Sequence, residues 1–341
     1  MKLSSSYPVS LMAFKHWAPD DREVGVVVAK ALFRRQPDGH LRAEAAPEIN
    51  MEDMFAGDPA WTPLIRDQDI APGKRGTDLT IAGTARSIDG KLRRDWAVEV
   101  TVPDRLNYHF HVRGPSAWAR QRGRWKRSAP EPVAEVPITY GLAYGGVAPG
   151  SEGVTVHDYN PAGIGLITHE RLAAVEDIPA PQIGLLADFM NDDPLAEMAV
   201  HGTGPIAKAW LPRRAFAGTF DKDWLTDRHP RMPADYDLQF WNAAPRPLQI
   251  KRGLRGDEVI LVNGMTGAPA PLSTPLPNVW CGLRMTGDDS AEQVMSLDTV
   301  HLDLTARDPL AHTATLLWRM QVDRPDQFRE ADLISGRIGE R

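Results

Sequence analysis

Cysteine is almost absent from this chain of 341 residues, which holds only Cys281. That excludes an intrachain disulfide and any metal site built on several thiolates, and it suits a reducing compartment. No run of eighteen apolar residues occurs, so the sequence offers no candidate membrane-spanning helix. The opening Met1-Lys2-Leu3-Ser4-Ser5-Ser6-Tyr7-Pro8 has neither a long apolar core nor a small-residue cleavage pattern. It does not read as a secretory signal, and the expected location is the cytoplasm. An excess of positive charge is also missing: 39 Lys and Arg face 45 Asp and Glu, a net charge of −6. A nucleic-acid binder normally carries a basic stripe. The densest basic run, Arg120 to Arg127 around Trp118 and Trp125, reads as a solvated hairpin.

What is plentiful is strand signal. Val24 to Phe33, Asp78 to Ala85, Trp96 to Val102, Tyr108 to Val112, Val300 to Leu304 and Ala314 to Val322 are apolar or alternating runs of strand length. Asp89-Gly90 is a dipeptide that hairpin turns favour because both positions need positive φ; it predicts a hairpin between the second and third runs. Helix signals are short: Glu170 to Glu176, Leu185 to Met190, Pro194 to Val200, and a capped turn over Asp221 to Thr226. The 29 prolines and 28 glycines break the remainder into loops, Asn263 to Asn278 being the clearest. Phe55-Ala56-Gly57 with Trp61, then Arg75-Gly76-Thr77-Asp78, has a counterpart in Phe216-Ala217-Gly218 with Trp224, then Arg255-Gly256-Asp257-Glu258. The expected fold is therefore mainly β, all-β or β-rich α+β. Two related antiparallel β subdomains, 1–150 and 215–341, would flank connecting loops and short helices over 151–214. The polar tail 323–341 has no assignable structure.

The same residues show little catalytic chemistry. His109 and His111 share a strand face, but no motif marks a third ligand. Asn191-Asp192-Asp193-Pro194 suits the cap of a helix starting at Pro194 better than a cation site. Gly202-Thr203-Gly204-Pro205-Ile206-Ala207-Lys208 lacks the spacing of a phosphate loop, and no Gly-x-Ser-x-Gly elbow is present. Cys281 beside Trp280 reads as core. No cofactor, metal or catalytic residue is expected. Tryptophan is the unusual component, with ten copies, several beside arginine or proline. Such residues anchor protein interfaces, line sugar clefts, or fill cores.

Taken in order, several loops resemble a known family. Tyr140-Gly141-Leu142-Ala143-Tyr144-Gly145-Gly146 comes first, then Asn160-Pro161-Ala162-Gly163-Ile164-Gly165. Gly204-Pro205-Ile206 follows with Trp210 and Pro212-Arg213, then Ala217-Gly218-Thr219-Phe220-Asp221 with Trp224 and Pro230. The series ends in Asp235-Tyr236-Asp237 with Phe240, Asn242, Ala244 and Pro245. Val26 to Ala31 and Lys74 to Asp78 extend the likeness to about residues 20–322. Together they are similar to an uncharacterised-domain family of type VI secretion gene clusters. Two positions depart from the pattern: Tyr144 stands for a phenylalanine, and Ala31-Leu32 stands where a threonine is expected. The resemblance implies an adaptor or chaperone, without catalysis, that binds a PAAR-type effector and assists its loading on the VgrG spike. Under that reading the candidate partner-binding residues are Trp210, Arg213, Trp224, Trp241, Asn242, Asn160 and Pro161, with neither nucleic acid nor membrane as partner.

An alternative is a carbohydrate-active hydrolase or a sugar-binding module on the β scaffold. The hydrolase would need facing carboxylates roughly 5–10 Å apart, with Asp221, Asp223 and Asp237 as first candidates. The adaptor would need an exposed apolar surface.

Overall fold

The computed structural model describes residues 2–5, 8–18, 20–285, 293–322 and 330–336. Its β-rich character follows from the alternating runs. The predicted strands form at Glu23–Arg35, Thr77–Arg86, Asp95–Val102, Leu106–Arg113, Ser296–Leu304 and Thr313–Val322.

An eight-stranded sheet has the order Glu135–Pro137, Thr77–Arg86, Ser296–Leu304, Thr313–Val322, Glu23–Arg35, Ser10–Trp17, with Gln249–Ile250 on the second strand and Leu41–Ala43 on the fifth. Its neighbours run antiparallel except Thr77–Arg86 and Ser296–Leu304, which pair parallel from Asp78↔Thr299 to Gly83↔Leu304. A five-stranded antiparallel sheet has the order Ile183–Gly184, Leu106–Arg113, Asp95–Val102, Val259–Asn263, Leu272–Pro275. The two sheets share one core: Ala29, Phe33, Ile81, Leu302 and Trp318 from the first join Val98, Val100, Phe110, Ile260 and Val262 from the second. Alternation along each strand makes this possible, because every second side chain points to the same face.

Strands of 1–150 and 215–341 interleave in both sheets. Thr77–Arg86 lies against Ser296–Leu304, whereas Val259–Asn263 lies between Asp95–Val102 and Leu272–Pro275, so the two Arg-Gly units have different neighbours. They meet directly instead. Thr77 Oγ1 accepts from Leu254 N at 2.8 Å and donates to Leu297 O at 2.5 Å.

Three local expectations are corrected. Asp89 and Gly90 do adopt positive φ, 58° and 64°. The strands they connect, however, belong to different sheets, so the turn carries the chain across the core rather than closing a hairpin. No helix starts at Pro194: Asp193 Oδ1 accepts from Leu195 N at 2.9 Å and Asn191 Oδ1 accepts from Asp193 N at 3.0 Å, side-chain turns that compete with a helix. The predicted loop 263–278 contains Leu272–Pro275, which pairs with Val259–Asn263 as an edge strand, a position where proline is tolerated. The helices at His169–Ala174 and Leu186–Met190 form as predicted. Asp221 Oδ1 caps Trp224 N at 2.8 Å at the head of the wide helical turn Trp224–Arg228.

Residues 117–127 form the expected hairpin, Ala117–Gln121 with Arg124–Arg127. Arg120 stacks over Trp125 at 5.7 Å and Arg127 over Trp118 at 5.1 Å. Within the tail 323–341, residues 330–336 form a strand beside Trp280–Met285; 323–329 and 337–341 lie outside the described residues.

Candidate functional site

Lys30 interrupts a run of valine and alanine, Arg319 follows Trp318, and Asp298 stands between Leu297 and Thr299. A charge in the middle of an apolar strand must find a partner or lose its charge. That signal was present in the sequence, and the structure shows where it leads. On the face of the large sheet turned away from the shared core, Lys30, Thr80, His301, Thr315, Leu317 and Arg319 line a cavity of about 510 Å³. Residues 47–69 supply part of its wall, through Pro47, Glu48, Asn50, Met54 and the stretch Ile65 to Asp69.

The three cations whose side chains are most deeply buried here, Lys30, Lys74 and Arg319, are each paired with a carboxylate. Lys30 Nζ donates to Asp69 Oδ2 at 2.8 Å and to Glu48 O at 2.7 Å. Lys74 Nζ donates to Asp78 Oδ2 at 2.9 Å, and Asp78 also accepts from Asn242 Nδ2 at 2.9 Å and Ala243 N at 2.7 Å. Arg319 Nη1 donates to Asp298 Oδ2 at 2.8 Å and Nη2 to Asp69 O at 3.0 Å. Asp298 sits where the pairing with Thr313–Val322 shifts: Leu297 faces Trp318 and Thr299 faces Leu317, leaving Asp298 as the extra residue of a β-bulge. Burial pushes the Asp298 carboxyl up, against the opposing pull of Arg319 and Lys74.

His301 Nδ1 lies 2.9 Å from Thr80 Oγ1. Desolvation, helped by the positive charge of Arg66, pushes the imidazole down to about 4, so it is neutral at pH 7. No group of three or more His, Cys, Asp or Glu side chains arranged for a metal ion occurs among the described residues. His109 and His111 both lie on the outer face of Leu106–Arg113, opposite buried Tyr108 and Phe110. Cys281 is fully buried, and desolvation pushes its thiol up to about 12, which makes it an inert core residue.

The loops that carry the resemblance build the frame around this cavity. Asn160 is fully buried and donates to Tyr140 O at 2.9 Å and Tyr144 O at 3.0 Å. It thereby ties the second motif to the first, and Tyr144–Gly145 pairs in parallel with Ile164–Gly165. Gly146 is required here: its φ is +94°, and a Cβ would fall 2.2 Å from Gly163 O. Tyr140 then donates to Gly204 O at 3.1 Å and meets Trp210 edge-on at 5.9 Å. Thr203 donates to Ile81 O at 2.7 Å, so the glycine-flanked stretch 202–208 props the large sheet rather than cradling a ligand.

Of the candidate partner-binding residues, Asn160, Trp210, Arg213 and Asn242 are buried. In this conformation they offer no surface to a partner, and they hold the structure from within. Arg213 donates to Asp67 Oδ1 at 3.0 Å, Ile206 O at 2.6 Å and Phe240 O at 2.9 Å. Lys208 grips both oxygens of Asp53 at 2.7 Å and lies 5.6 Å from the Trp241 ring. Pro161, Trp224 and Trp241 are half-buried. Asp237 caps Gln239 N at 2.7 Å and pairs with Arg75 at 2.9 Å; Asp221 and Asp223 are exposed, and none of the three lines the cavity.

The exposed apolar side chains lie elsewhere. Around the short hairpin Met54–Phe55 with Leu64–Arg66, Met51 is 59 %, Met54 49 %, Trp61 53 % and Ile65 48 % exposed. The ion pairs of Asp53 and Asp67 with Lys208 and Arg213 pin this flap to the motif loops. A second cluster sets Trp224, half-buried, edge-on between the exposed Phe220 and His229, with ring centroids 4.8 and 5.3 Å apart. Sequence reading missed the flap because its apolar residues follow no helical or strand period.

No helix is long and apolar enough to cross a membrane among the described residues. No curated protein and no solved structure matches the chain. A family model does match, over residues 20–319, and its description is "uncharacterized protein conserved in bacteria (DUF2169)". The match covers most of the chain and contains every loop of the frame described above, so the protein belongs to this conserved bacterial family.

Proposed function

We propose that the protein is a cytoplasmic type VI secretion adaptor or chaperone that binds a PAAR-type effector and assists its loading on the VgrG spike. The observation that favours this reading is the flap on which Met51, Met54, Trp61 and Ile65 are each about half exposed. Exposed Met and Trp side chains on a pinned hairpin suit a protein partner, because methionine adapts its shape and tryptophan gives large contact area for little lost entropy. Ion pairs at Asp53 and Asp67 hold the flap in place before docking, which lowers the ordering cost of binding. The choice of a PAAR-type effector as partner rests on the resemblance carried by the motif order.

A glycosidase or sugar-binding reading has less support. A hydrolase would need facing carboxylates free to act, yet Asp67, Asp69, Asp78 and Asp298 are each tied to a cation, which leaves Glu48 and Asp303 as the unpaired acids of the described lining.

The test is co-purification of the full chain with the PAAR-type effector and VgrG encoded beside it. Stable capture that keeps the effector soluble is expected, and Met51→Ser with Trp61→Ser should weaken capture at least tenfold while leaving the fold intact. An effector that stays soluble and loads on VgrG equally well without this protein would overturn the proposal.

A further inference from the structure

Leu317 and Arg319 face the paired-charge cavity, and Trp318 between them faces the other way, as alternation along a strand requires. On that opposite side lies a second pocket of about 580 Å³, a size typical of small-molecule sites. Lys251, Arg252 and Arg255 line it together with the apolar Trp280, Leu297 and Trp318. Lys251 and Arg252 sit on the turn after Gln249–Ile250, which brings them to the pocket mouth as exposed side chains together with Arg255.

The charge balance here is one-sided. Among the described residues no acidic side chain lines the pocket, and Lys251, Arg252 and Arg255 make no ion pair. Glu258, an acid of the same turn, accepts from the backbone N–H groups of Arg255 at 3.0 Å and Gly256 at 3.0 Å. Lys74 also borders the pocket, but its charge is matched by Asp78. In addition, the indole N–H of Trp318 is buried without an acceptor, and buried donors are normally satisfied. The pocket therefore combines unpaired cations with apolar lining.

We infer that this pocket binds an organic anion, its phosphate, sulfonate or carboxylate head held by Lys251, Arg252 and Arg255 and its apolar body lying against Trp280, Leu297 and Trp318. Guanidinium groups suit such oxyanions because they present paired N–H donors. Only binding is claimed, so no bond is made or broken. The site is separate from the flap, and the inference does not depend on the adaptor reading.

The experiment titrates the full-length protein with 8-anilinonaphthalene-1-sulfonate, an anionic fluorescent probe, and in parallel with its uncharged relative N-phenyl-1-naphthylamine. One saturable site is expected for the anion, with the neutral probe at least tenfold weaker. Arg252→Glu with Arg255→Glu should weaken the anion at least tenfold, whereas Trp61→Ser on the flap should leave it unchanged. Competition by phenyl phosphate against benzoate then separates a phosphate head from a carboxylate head. Equal binding of the two probes, loss of the signal on the flap variant, or affinity within twofold of the parent in the Arg252/Arg255 variant would each overturn the inference. A circular dichroism spectrum and melting temperature matching the parent confirm that the variant is folded.

Discussion

Two faces of one strand, Thr313–Val322, treat charge in opposite ways. On the face carrying Arg319 every buried cation has its carboxylate, and the flap 47–69 helps to close the space. On the face carrying Trp318, Lys251, Arg252 and Arg255 are exposed and unmatched. A buried pair is a structural commitment, since removing one partner strands the other in a medium that cannot solvate it. An exposed, unmatched cation costs the fold little and leaves attraction to spare for a ligand. Substitutions should therefore damage stability on the first face and recognition on the second.

Arg319→Met should give the largest effect. It strands the Asp298 carboxylate in the sheet, and a loss of about 3–5 kcal/mol in urea denaturation is expected. Adding Asp298→Ala should recover much of that loss. If Arg319→Met costs less than about 1 kcal/mol, the pair is not the structural element described. His301 sharpens the contrast through pH. Its imidazole lies near 4 in the fold against an ordinary 6.5. Between those values the unfolded chain binds a proton that the folded one refuses. Its contribution is thus complete above about pH 6.5 and declines as the pH falls toward 4. Discounted for partial exposure, this amounts to about 2 kcal/mol. His301→Asn should flatten that part of the stability profile, and an unaltered slope would assign the pH dependence to other groups.

Lys208→Met removes the half-buried grip on Asp53. It should cost about 1 kcal/mol and speed amide hydrogen exchange at residues 51–66 more than in the sheets. The smallest effect belongs to the second face: Arg252→Glu with Arg255→Glu should change stability by less than about 0.5 kcal/mol, measured in the same urea titration. A large loss there would mean that those arginines are structural and that the two faces do not differ as argued.

The strands of the core were legible because alternation is a local property. Val98, Val100 and Val102 announce a buried face within a single segment. Pairing was not legible. Asp89-Gly90 correctly marked a turn, but a dipeptide carries no information about which sheet the next strand joins. Leu272–Pro275 was hidden by its prolines, which an edge position tolerates. The site was the least readable part, because its elements are single contacts between distant residues. Lys30 with Asp69 and Arg319 with Asp298 leave only a lone charge in an apolar run as their trace. Of the motif residues, Asn160, Trp210, Arg213 and Asn242 are buried, whereas Pro161, Trp224 and Trp241 are half-buried. A buried asparagine that holds two loops and an exposed one that contacts a partner look the same in sequence.

The bulge at Asp298 has a consequence for how this chain tolerates length change. With residue 298 left out of the count, Leu297, Thr299, Val300, His301, Leu302 and Asp303 alternate inward and outward without interruption. The ladder is therefore in phase on both sides of the acid, which is inserted between two turns of the same rhythm. A relative lacking that one position would keep its inside and outside faces, provided the guanidinium opposite were lost with it. Length and charge are in this sense a single character here, to be gained or lost together.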